Sequence, residues 1–138
     1  MKSKKKTPRG IRNNNPLNIR IGNSWKGEVK NPTDTAFEQF TEMRFGVRAA
    51  FIILKRYIDR YKLNTIEKIV SRWAPDNENL TEKYIAVVCA RTGLDRKFEF
   101  EYTNVAVMTM LFQAMCFVEN GQEIDYDVIL EGYVLAKQ

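Results

Sequence analysis

The period of the apolar residues changes at Thr41, and that change constrains the fold more than any other feature. From Thr41 onward, Val47, Ala50, Phe51, Leu54, Tyr57, Ile58 and Tyr61 recur at helical spacing. Before it, residues 9 to 40 show no helical period. They are rich in Asn, Gly and Arg and carry Trp25, Phe37 and Phe40. An aperiodic stretch of that length inside a small domain is either functional or disordered. The aromatics argue against disorder. The chain is therefore expected to set an irregular or β-rich lead segment against a helical body.

Within the lead, Asn18-Ile19-Arg20-Ile21 alternates with period two. Gly22-Asn23-Ser24 offers turn chemistry, and Trp25 to Val29 can return as a second strand. Asn31-Pro32-Thr33-Asp34 is a further turn signal before a third short run, Ala36 to Phe40. Strands this short need helices to lean on. Thr41 is the expected N-cap of a central helix. Asn64-Thr65-Ile66-Glu67 has the form of a capping arrangement for a second helix, which Pro75 ends near Trp73. Asn79-Leu80-Thr81-Glu82 repeats that form and opens a third helix, which stops near Gly93. Residues 94–102 read as strand or helix lead-in. Asn104 to Glu119 is a strongly apolar helix ended by Asn120-Gly121, and a last helix runs from about Asp125 to Ala136. The expected class is α+β, mostly α, in a single domain over 9–138 behind a basic tail over 1–8.

The net charge of +5 comes from the first twelve residues. Met1 to Arg12 hold six bases and no acid, leaving 16 bases against 17 acids in the remainder. The tail is either a solvated terminus or a contact for nucleic acid or another anionic polymer. No apolar core follows it, so it does not read as a secretory signal. The chain is expected to be made in the cytoplasm, and no apolar run is long enough to insert in a membrane. Cys89 and Cys116 sit among apolar residues and read as free thiols, with a disulfide open. The chain has no histidine. This excludes Ser-His-Asp and Cys-His catalysis and the common zinc sites, and no metal or cofactor is expected. Acid–base chemistry must rest mainly on carboxyls, Tyr, Lys or Cys.

The string Arg9-Gly-Ile-Arg-Asn-Asn-Asn-Pro16, with Asn18-Ile19, Trp25, Gly27, Asp34, Phe37 and Phe40, resembles a family of phage and prophage proteins. These are variously described as structural proteins or virion-associated cell-wall lytic enzymes. Gly46-Val47-Arg48-Ala49, Arg72-Trp73-Ala74-Pro75 and Glu119-Asn120-Gly121 continue the resemblance. The order Asn13-Asn14-Asn15, Asn18-Ile19-Arg20, Trp25-Lys26-Gly27 and Phe37-Glu38-Gln39-Phe40 is also distantly similar to cell-wall glucosaminidases of the lysozyme-like superfamily. The stretch from Arg72-Trp73 to Tyr84 is similar to lytic transglycosylases.

The resemblance implies a lysozyme-like helical domain with a small antiparallel hairpin or sheet near the N-terminus. It implies cleavage of peptidoglycan glycan strands by a muramidase, glucosaminidase or lytic transglycosylase that is virion-associated or released to the wall. Other virion proteins would be its partners. In such enzymes a helix ending in the catalytic Glu precedes the Asn-rich segment, whereas only basic residues precede it here. A circularly permuted arrangement, with Glu119 at the end of the apolar helix, accounts for the difference.

Glycosidic cleavage needs one carboxyl that stays protonated and a carboxylate, or an equivalent, that steadies the cationic transition state. Glu119 follows four apolar residues at a helix C-terminus, where desolvation and the helix dipole both favour the neutral acid. It is the expected acid, or else a solvated last-turn residue. Asp34 is the expected assisting carboxylate, or else the anchor of an Asx-turn; Glu38 and Glu78 are lesser candidates. Asn13, Asn14, Asn15, Asn18, Arg20, Trp25, Asn79 and Tyr84 have the chemistry to line a sugar cleft, although Asn also shapes turns. A non-catalytic virion structural or wall-binding protein is the alternative, and a nucleic-acid-binding module a lesser one.

Overall fold

The computed structural model describes residues 6–137. Of the expected basic tail, residues 1–5 therefore lie outside the described residues. Six helices follow one another: α1 Arg9–Arg12, α2 Met43–Asp59, α3 Ile66–Trp73, α4 Glu78–Thr92, α5 Val105–Asn120 and α6 Tyr126–Leu135.

Their ends follow local chemistry. The Thr65 side chain accepts from Lys68 N at the start of α3, and Pro75 stands two residues past its end. Asn77, two residues before the expected Asn79, caps α4 by accepting from Leu80 N. Asn104 and Asp125 cap α5 and α6 in the same way. Gly93 and Gly121 end α4 and α5 in the left-handed region, at φ 73° and 70°. Thr41 is not a cap: its hydroxyl donates to Gly27 O, and α2 begins after Glu42 without a side-chain cap.

α2 is the central helix. It buries Val47, Ala50, Phe51, Leu54 and Ile58, and α6 lies along it. The close approach depends on Gly132, where a Cβ would stand 2.3 Å from Val47 Cγ1. The Phe51 ring meets Phe112 at 4.7 Å and Tyr133 at 5.2 Å between centroids, which ties α2, α5 and α6 into one apolar cluster. Loss of such a ring costs about 3–5 kcal/mol. α5 packs on α4, and α4 on α3.

The lead segment corrects the expected fold class. Among the described residues there is no strand and no sheet. The segment makes two isolated antiparallel bridges, Arg20 to Phe37 and Glu28 to Phe40. Residues 36–41 do pass between 19–21 and 27–29, with Glu38 N donating to Ile19 O at 2.9 Å and Thr41 N to Gly27 O at 2.8 Å. Side-chain amides, however, take the places where a ladder would continue. Asn15 donates to the carbonyls of Ile19 and Glu38 and accepts from Ile19 N, and Asn14 donates to Phe40 O. Asn14 and Asn18 also turn the chain through positive φ, 51° and 54°, which extended strands do not adopt. The α+β, lysozyme-like architecture with its hairpin is thus replaced by a helical one, and the permuted version of it is set aside. The mostly helical character stands. Residues 98–102 are neither strand nor helix.

Candidate functional site around Glu119

The last turn of α5 meets the Asn-rich segment. Glu119 is half-buried there, with Asn18 Nδ2 donating to its Oε1 at 2.8 Å and Tyr84 Oη donating to its Oε2 at 3.0 Å. Burial pushes the Glu119 pKa up, and the two donated hydrogen bonds pull against that rise. Tyr84 is itself buried. Its own pKa is raised well above normal by burial and then by the Glu119 charge, so the phenol stays a donor.

The surroundings fix these groups. Asn120, next to Glu119, donates to Pro16 O at 2.7 Å and to Cys116 O at 3.0 Å. Trp73 Nε1 donates to Leu17 O at 3.2 Å and holds the backbone beside Asn18. Trp73 thus acts through packing and positioning, with its ring edge-on to Tyr57. The side-chain oxygens of Asn18 and Asn120 are buried without donors and both face Gly10. A Cβ at Gly10 would lie 2.5 Å from Asn120 Oδ1 and 3.0 Å from Asn18 Oδ1.

Asp34 is elsewhere engaged. Arg9 binds both its oxygens, at 2.7 Å each, Asn13 Nδ2 donates at 3.0 Å, and the backbone N–H groups of Ala36 and Phe37 donate at 2.9 and 3.0 Å. The Arg9 guanidinium and these donors hold the Asp34 carboxyl far below the usual carboxylate range. A cavity of about 330 Å³ beside it is lined by Arg12, Asn13, Thr33 and Gln39, with neither Glu119 nor Trp25. Asp34 and Glu119 share no hydrogen-bond partner, and Glu119 does not line the cavity beside Asp34.

The other candidates divide similarly. Asn13, Asn14 and Asn15 spend their amides on the segment's own backbone and side chains. Asn18 alone of the cluster reaches Glu119. Arg20 is exposed, and its guanidinium lies 5.0 Å from the centre of the Phe37 ring. Glu78 and Asn79 are exposed on the first turn of α4. Trp25 is half-buried against the core, its Nε1 without a partner.

Glu38 is buried, and its pKa is pushed up to about 7, first by burial and then by the charge of Glu28; a hydrogen bond from the Gly22 backbone opposes the rise. Glu38 Oε2 and Glu28 Oε1 have no donor. Two carboxyls in this position satisfy each other only when one of them holds a proton. Glu28 and Asn120 were not among the expected residues. The signal for Glu28 was the register that pairs it with Phe40 and so sets it diagonal to Glu38. Among the described residues no three Asp, Glu or Cys side chains converge as metal ligands do, and no helix is long and apolar enough to cross a membrane. Cys89 and Cys116 are free thiols.

Compared with known proteins, the chain is 41% identical over 130 residues to Protein P5 of Pseudoalteromonas phage PM2. The match covers 91% of this chain and 79% of that protein. No protein-family model matches.

Proposed function

We propose, for a chain that belongs to the family of Protein P5 of Pseudoalteromonas phage PM2, a role as a virion-associated phage protein that cleaves peptidoglycan glycan strands with Glu119 as the acid. The observation that supports this reading is the Glu119 carboxyl, half-buried at the end of an apolar helix, raised in pKa and oriented by Asn18 and Tyr84. A carboxylic acid so held keeps its proton closer to neutral pH and presents it in a fixed direction.

In the proposed step, Glu119 gives its proton to the glycosidic oxygen as the bond from the sugar's anomeric carbon to that oxygen breaks. The bonding electron pair stays on the leaving oxygen. Water, or a hydroxyl of the same sugar, then adds to the oxocarbenium-like carbon and returns a proton to the carboxylate. The amide of Asn18 and the phenol of Tyr84 stabilise the carboxylate formed in between. Asp34, bound by Arg9, is left out of this scheme, which therefore needs a single protein carboxyl.

A second reading has an observation of its own. Both Glu119 oxygens already have protein donors, and the expected second carboxylate is engaged by Arg9. That arrangement also suits a non-catalytic virion structural or wall-binding protein in which Glu119 locks α5 to the Asn-rich segment. Zymography on purified cell walls separates the two. The catalytic reading expects clearing by the wild-type protein and none by a folded Glu119→Gln variant. Absence of clearing by the wild type would leave the structural reading in place.

A further inference from the structure

The near-neutral body of the chain conceals a division of charge. Residues 43–73 hold eight bases and two acids, whereas 74–138 hold five bases and eleven acids. The basic half is α2 and α3, and its acids are spent. Asp59 pairs with Lys55, and Glu67 with Arg96 at 3.5 Å. Among the described residues, Arg56, Arg60, Lys68 and Arg72 have no carboxylate within ion-pair distance, and all four are exposed.

Two of these cations sit against aromatic rings, and Arg56 lies one helical turn before Arg60. The Arg72 guanidinium sits 5.9 Å from the centre of Tyr57 and 5.8 Å from that of Tyr61, and Arg60 sits 5.7 Å from Tyr61. Lys68 and Arg72 share a cavity of about 500 Å³ with Leu63, Glu67 and Ser71. A guanidinium held against a ring face keeps its N–H edge free for a planar anion. Trp73 links this face to the Glu119 site. Trp73, next to Arg72 in sequence, packs on Tyr57 and donates to Leu17 O, one residue before the Asn18 that holds Glu119.

We propose that Arg56, Arg60, Lys68 and Arg72, with Tyr61, form a docking surface for the carboxylates borne by the peptide branches of the cell-wall polymer. The inference rests on the cell-wall reading of the Glu119 site and adds where the polymer's anionic groups lie. Nucleic acid, another anionic polymer that such cations could hold, is an outcome that the test below decides.

The test is co-sedimentation with insoluble purified walls in a Glu119→Gln background, where lysis cannot remove the support. The expected result is retention that falls steeply with salt. A Lys68→Glu/Arg72→Glu double variant should weaken it by about tenfold or more, while Lys83→Glu/Lys97→Glu leaves it unchanged. Walls whose carboxyls have been converted to amides should fail to retain the unaltered surface, which tests the idea without any variant of it. Equal retention on amidated walls, or by the double variant, overturns the proposal even if the wild-type protein clears walls. Retention that needs the wall carboxyls and these cations supports it even if no clearing is seen. Tight binding of a duplex DNA fragment through the same cations, with wall retention unaffected by their reversal, also overturns it.

Discussion

Replacing Glu38 with glutamine should make the protein more stable at pH 8 and remove most of the pH dependence of its stability between pH 4.5 and 7.5. In the folded chain the Glu38 carboxyl sits against Glu28, out of water, and its pKa moves from 4.5 to about 7. Below about pH 4.5 folded and unfolded chains both hold this proton, and the stabilisation is complete. As the pH rises toward 7 the unfolded chain releases the proton freely while the folded chain retains it, so stability falls. Above 7 the loss is complete. At about 1.36 kcal/mol per pH unit, the interval corresponds to about 3 kcal/mol. That is a large share of a total of about 5–15 kcal/mol, or about 10 °C in Tm for a domain of this size. The amide introduced by Glu38→Gln would donate to Glu28 at every pH and abolish the repulsion. Glu119 is also raised in pKa and loses stabilisation in the same direction, so the comparison is wild type against Glu38→Gln, with Glu119→Gln measured separately. Urea unfolding at half-unit pH steps is the assay. If the two curves run parallel, or if the wild type gains stability from pH 5 to 8, the shared-proton argument fails.

Tyr84→Phe removes a donor that lowers the Glu119 pKa; the alkaline limb of wall clearing should move to higher pH, and a profile that stays in place would separate Tyr84 from the acid. Gly46→Ala would put a Cβ 1.8 Å from the Asn14 carbonyl oxygen, and chemical unfolding should show a loss of about 3 kcal/mol or more because backbone must move. Asp34→Asn should destabilise the protein at pH 7 more than at pH 3. The folded carboxyl is held below its ordinary range by Arg9 and its backbone donors, so its stabilisation is present above the ordinary carboxylate pKa and is lost as the pH falls; equal losses at the two pH values would contradict this.

Much of the helical body was legible because its signals are local. Thr65 and Pro75 frame α3, Asn104 and Gly121 frame α5, and Asp125 opens α6. The lead segment differs from its sequence pattern for a physical reason. Period-two alternation at Asn18–Ile21 points to Ile19 and Ile21 as the inward pair; Ile19 is buried, but Ile21 is exposed. The alternation does not report whether the backbone partners are carbonyls or the amides of Asn14 and Asn15. The position of Glu119 at the end of an apolar helix was visible from the run before it. Its partnership with Tyr84, 35 residues away, was not, and Tyr84 read instead as a surface for sugar. The Asx-turn at Asp34 was legible from the local turn signal, and Ala36 N and Phe37 N donate to its Oδ1; its engagement by Arg9, 25 residues away, was not. The Glu28–Glu38 contact required a register that only the folded segment supplies.

The hydrogen bond from Asn18 to Glu119 spans 101 residues of chain, and that from Asn120 to Pro16 spans 104. Closing a loop of that length costs about 4 kcal/mol of chain entropy, a cost that the local contacts within each helix do not meet. During synthesis the Asn-rich segment leaves the ribosome long before α5 exists. Until the loop closes, Glu119 lacks the Asn18 donor. The chain cannot assemble the Asn18–Glu119 contact piecemeal, and any species lacking either end of that loop lacks it altogether.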